Sequence, residues 1–197
     1  MPILLPDGII ANSANPFLVE FGGVMNPFLG GPAQLINRLG LRYGVRVTIP
    51  PTFYANKGMA LVSRLQRAKT DRLLMEWYQP GFVLGTAGNP LVASPVDGGT
   101  TLPMKGLPAN KQFYEGQCFS VVSGSRFTHS FASDQQASVG GTLNASIWPP
   151  IRKDFLTNQV IELVPKIEGL VSPGEELNWQ LSIERFVDVS FSIVESD

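Results

Sequence analysis

From Leu41 to Ile49 apolar and polar side chains alternate, with Tyr43, Val45, Val47 and Ile49 on one face and Arg42, Arg46 and Thr48 across from or beside them. A period of two predicts a half-buried strand. Pro50-Pro51 is expected to stop it, because proline has no N–H for a sheet ladder. The period then changes. Gly58, Leu61, Val62, Leu65 and Ala68 fall at i, i+3, i+4, i+7 and i+10, which predicts one helix over 54–68 with Arg64, Gln66 and Arg67 pointing away.

Leu73 to Trp77 reads as a further strand ending at Gln79-Pro80-Gly81, and 78–116 is dense in turn residues. Apolar stretches follow at 117–122, 125–132, 141–147 and 159–164, each bounded by Gly, Ser, Asp, Asn or Pro, a spacing that suggests a small antiparallel barrel. The clearest alternation lies at 179–183 and 187–193, a hairpin-like pair of strands. These are expected to share a sheet with 41–49, against which the helix packs Leu61, Val62 and Leu65. In the first 40 residues Asn15-Pro16, Gly22-Gly23, Asn26-Pro27 and Gly30-Gly31-Pro32 interrupt every apolar run, so short strands or an extended arm are expected there.

The predicted class is mainly β: an antiparallel β-sandwich with one covering α-helix and an inserted small β-barrel. Residues 1–78 with 166–197 form the sandwich domain, and 79–165 form the inserted barrel.

Composition narrows the function. The chain of 197 residues has 44% hydrophobic content, enough for a substantial core. Fifteen Lys and Arg against 16 Asp and Glu give no electrostatic footprint for nucleic acid or an anionic membrane. Only 16% of residues are charged, with Gly 20 and Pro 16, the profile of a turn-rich protein that covers part of its surface by association. The N-terminal residues lack the basic and apolar regions of a signal peptide, and no run reaches the ~18 apolar residues of a membrane span, so a soluble protein made in the cytoplasm is expected.

Candidate chemistry is sparse. Cys118, the single cysteine, excludes an internal disulfide and a Cys-cluster zinc site; it reads as a small buried strand residue. A triad would need His129, Cys118 or a serine, and an acid such as Asp134. His129, in Arg-Phe-Thr-His-Ser-Phe, is expected on the polar face of a strand, and no Gly-x-Ser-x-Gly elbow exists. Asp97-Gly98-Gly99-Thr100-Thr101 reads as a turn. No catalytic residue, cofactor or metal is assigned. Trp77, Tyr78 and Trp148 are candidates for stacking on carbohydrate, with core or interface positions as the alternative.

Tyr43-Gly-Val-Arg-Val-Thr-Ile-Pro-Pro51, the helix, and Leu73-Leu-Met-Glu-Trp-Tyr-Gln-Pro-Gly81 together resemble the opening of small tail-tip proteins of long-tailed bacteriophages. Gly99-Thr-Thr-Leu102 with Gly106-Leu107, Glu115-Gly-Gln-Cys-Phe-Ser-Val121, Gly141-Thr-Leu-Asn-Ala-Ser-Ile-Trp-Pro-Pro-Ile-Arg152 and Phe191-Ser-Ile-Val-Glu195 are similar to that family's later segments. The likeness covers about residues 40–195 and rests on strand and turn patterns. It implies a distal tail protein: a non-enzymatic virion protein, made in the host cytoplasm, six copies of which form a ring. The ring would join the tail tube protein to baseplate hub proteins or fibres, with no nucleic acid and no membrane insertion. A carbohydrate-binding tail module contacting the host surface is the alternative, and residues 1–40, with Gly-rich loops at 22–31 and 81–106 flanking the strands, suit an arm that reaches a neighbouring subunit.

Overall fold

The computed structural model describes residues 2–36, 38, 40–81 and 88–196. In chain order the first strands are β1 (Ile3–Leu4), β2 (Ser13–Val19), β3 (Gly23–Met25), β4 (Gln34–Ile36) and β5 (Arg42–Phe53). One π-helical turn, Tyr54–Gly58, runs directly into α1 (Met59–Arg67), and β6 (Leu73–Glu76) follows. Next come β7 (Leu91–Val92), β8 (Gly99–Lys105), β9 (Gln112–Phe113), β10 (Cys118–Ser123), β11 (Ser125–Phe131) and β12 (Gln135–Gln136). The chain ends in β13 (Thr142–Ile151), β14 (Ile161–Glu162), β15 (Lys166–Val171), β16 (Trp179–Leu181) and β17 (Phe186–Glu195).

Two sheets carry the fold. The first has the order β1-β6-β15-β17-β5-β2, with β16 also on β17. Its alternation is that of a one-sided sheet: Val45, Val47 and Ile49 of β5 and Val189, Phe191 and Ile193 of β17 are buried together with Leu61 and Leu65 of α1. The helix lies on this face because its own apolar stripe has nowhere else to go. Gly58 marks the closest approach, since a Cβ there would lie 2.6 Å from Val187 Cγ1. Among the described residues no helix is long and apolar enough to cross a membrane.

The second sheet, β14-β10-β11-β13-β8-β7, curls into a small barrel. Leu91 bridges Val160, and the Val92 N–H donates to the Gln159 carbonyl at 2.9 Å, so β7 comes back beside β14 and the barrel nearly closes. Phe113, Phe119, Phe127, Phe131 and Phe155 fill it, each contributing about 1.5–3 kcal/mol of burial. The chain leaves the first sheet at β6 and returns at β15, and these two strands pair antiparallel, Lys166 opposite Glu76.

Some boundaries differ from expectation. Pro50-Pro51 does not end β5, which continues to Phe53. The register shifts there, with Thr52 opposite Val187 but Ile49 opposite Val189, while β2 pairs only as far as Thr48. The prolines thus occupy a bulge on an unpaired flank, where missing N–H groups cost nothing. Likewise β13 runs through a cis Trp148-Pro149 bond and Pro150 to Ile151, again across a register shift. Asp97-Gly98 turns the chain, but Gly99 to Thr101 already belong to β8. The expected loop at 81–106 includes 82–87, which lie outside the described residues.

Candidate functional site

Parity explains the most unusual buried group. In β17 the inward positions are Val187, Val189, Phe191 and Ile193, and the next in phase is Glu195. The sheet therefore carries a carboxylate inside, with its side chain fully buried. Thr128 N–H of β11 donates to Oε1 at 2.6 Å, and Tyr43 N–H of β5 donates to Oε2 at 3.1 Å. Arg152, just past β13, donates to Oε2 at 3.1 Å and to the Leu41 carbonyl at 3.2 Å, its guanidinium 4.8 Å above the Phe127 ring. Burial pushes the Glu195 pKa up, against the lowering effect of Arg152 and Thr128. The cluster thus clamps the barrel onto the sheet.

A second junction lies at Arg126, which grips Glu162 through two bonds of 2.8 and 3.1 Å and Glu168 at 3.0 Å. Burial disfavours the Glu162 charge, yet Arg126 and Lys166 hold its pKa below the usual value. This bidentate pair fixes orientation as well as charge.

The sequence-level chemical candidates do not converge. His129 is not on a polar face; it is in phase with Phe127 and Phe131 and is buried in the barrel. Its ring lies 6.1 Å from Phe119 and 5.9 Å from Phe155, and Nδ1 is 2.9 Å from the Pro149 carbonyl. Burial lowers its pKa to about 4, with Arg152 acting in the same direction. Cys118 is buried as expected, and burial pushes its thiol up to about 11. Asp134 instead accepts the Glu115 N–H at 2.8 Å near the surface. No group of three or more metal-ligating side chains occurs among the described residues.

The three aromatic candidates have different environments. Trp77 is 8% exposed and packs edge-on against Tyr43 at 5.3 Å, whereas Tyr78 is 75% and Trp148 45% exposed. Among the described residues no ring pair includes Tyr78 or Trp148.

Two surface features stand out instead. An open groove of about 990 Å³ runs between the 4–14 segment and the end of β6, lined by Leu5, Ile9, Ile10, Trp77, Tyr78 and Val164 among others. The hairpin β3–β4 forms a separate two-stranded sheet, joined to neither main sheet. Every described residue from Gly23 to Ile36 is exposed, and Phe28 and Leu29 at its tip are 102% and 94% exposed. The sequence predicts short strands or an arm in this region, and it carries no charged residue from Phe21 to Asn37. No protein-family model matches the chain, and no curated protein matches it.

Proposed function

We propose that this chain is a structural subunit that associates with copies of itself into a closed ring at the tip of a bacteriophage tail, between the tail tube and the baseplate hub or fibres. The observation that carries the self-association is the β3–β4 hairpin, which exposes Val24, Met25, Phe28, Leu29, Leu35 and Ile36 together. Exposed apolar surface of this extent marks an interaction site. An isolated two-stranded hairpin is marginal in water, and a covering partner supplies what it lacks. The place in a phage tail rests on the segments between Tyr43 and Glu195 that resemble distal tail proteins. Six copies are the number that resemblance implies.

A rigid subunit suits the task. The Glu195–Arg152 and Arg126–Glu168 ion pairs fix the barrel to the sheet, so a ring built through one part carries the other at a constant angle. The tail placement is tested by immunogold electron microscopy of particles produced from the genome that encodes the chain. Label confined to the tail tip supports it; label on the capsid, or particles without the protein, overturns it.

A further inference from the structure

The hairpin and the groove sit at opposite ends of β2. Ser13 and Ala14 at the start of β2 line the groove, while the hairpin leaves beyond Val19 at its other end. Seven extended residues place about 20 Å between these points. Phe28 and Leu29 at the hairpin's tip stand in solvent.

We propose that the β3–β4 hairpin of one copy seats its Phe28–Leu29 tip in the 4–14 groove of the next copy. This assignment rests on the self-association reading above and names its two surfaces. At their exposures the hairpin's large apolar side chains present on the order of 700 Å², close to the ~800 Å² that each partner gives a standard interface, so the hairpin can supply one side of a stable contact. The chemistry matches. No charge interrupts the chain between Glu20 and Arg38, so insertion desolvates no ion. The groove offers Ile9, Ile10 and Val164 to the apolar tip, with Asn12 beside them for the backbone groups of the Gly30-Gly31 turn. Its volume lies at the top of the ~300–1,000 Å³ range of binding clefts. Tip and groove are different patches of one surface, so the contact is head-to-tail and propagates from copy to copy until it closes.

The test uses two variants of the full chain, Phe28→Asp with Leu29→Asp on the arm and Ile10→Arg with Val164→Arg in the groove. All four positions are exposed, and unchanged thermal melting checks that both variants fold. In sedimentation velocity the wild type is expected to associate and each variant alone to stay monomeric. Mixed, they form a 1:1 dimer and nothing larger, because one can only receive and the other only insert. A groove variant that assembles like the wild type overturns the groove assignment and leaves self-association standing. As a second measurement, Phe28→Cys and Val164→Cys chains are mixed and oxidised, and an intermolecular cross-link is expected; the buried Cys118 stays out of this reaction. A wild type that is monomeric throughout, with no such cross-link, overturns both readings.

Discussion

Replacing Arg152 by alanine removes the guanidinium hydrogen-bonded to the buried Glu195 carboxylate, which keeps the Thr128 and Tyr43 N–H groups as donors among the described residues. Removing one member of a buried pair generally costs ~3–5 kcal/mol, because the other charge stays desolvated. The loss has a ceiling. Glu195 can instead take up a proton, which from its ordinary value of 4.5 costs about 3 kcal/mol at pH 7 and under about 1 kcal/mol at pH 5. The deficit of the variant is therefore about 3 kcal/mol at pH 7 and about 1 kcal/mol at pH 5. The sign follows from linkage: a carboxyl whose folded value lies above its unfolded one favours the folded state at low pH, and that contribution is lost as pH rises through the folded value. Urea unfolding at both pH values measures it, and with an m of about 2 kcal/mol/M the midpoint falls by about 1.5 M at pH 7. A fall under about 0.5 M at pH 7, or one of equal size at pH 5, would refute the reasoning.

Other outcomes follow from the packing. His129, with a folded pKa near 4 against 6.5 unfolded, binds its proton more readily in the unfolded chain between those values, so it lowers stability as pH falls through that window, by up to about 3 kcal/mol. Glu195 acts in the opposite sense. The difference between wild type and His129→Phe, followed by denaturation from pH 7 to 4, isolates the histidine, and a difference that stays flat contradicts its burial as a neutral ring. Gly169→Ala places a Cβ 1.9 Å from the Val194 carbonyl oxygen and must push β15 from β17. A loss of about 3 kcal/mol or more, seen as a melting point lower by about 10 °C, is expected, whereas Gly98→Ala, with nothing within 4 Å, changes it by less than about 2 °C.

The elements legible in the sequence are those whose period is long and whose environment is one-sided. Val187 to Ile193 and Tyr43 to Ile49 alternate without interruption, and the structure pairs them in one sheet, Phe191 opposite Val47. The helix stripe is equally plain, and Leu61, Val62 and Leu65 are buried. Prolines misled, because their cost depends on whether a strand flank is paired, and sequence does not display that. β8 was hidden by Gly99, Pro103 and the threonines between, residues whose β character emerges only through pairing with Thr142 to Ser146. Parity held the signal for both buried polar groups. His129 lies two residues from Phe127 and Phe131, and Glu195 two from Ile193; counting in twos places each in a core. What parity cannot provide is the partner, since Arg152 lies 43 residues from Glu195, just past a strand of the other sheet. The hairpin, for its part, buries none of its residues from Gly23 to Ile36, so no core imprints a period on its sequence.

The central claim, that copies of this chain associate head-to-tail into a closed ring, is tested most directly by electron microscopy of the concentrated wild-type protein with mass measurement of the same sample. The account predicts rings of one discrete mass, each neighbour contacted through two different patches, and six subunits where the tail-tip resemblance holds. A two-fold dimer joined through one self-matching patch would contradict it.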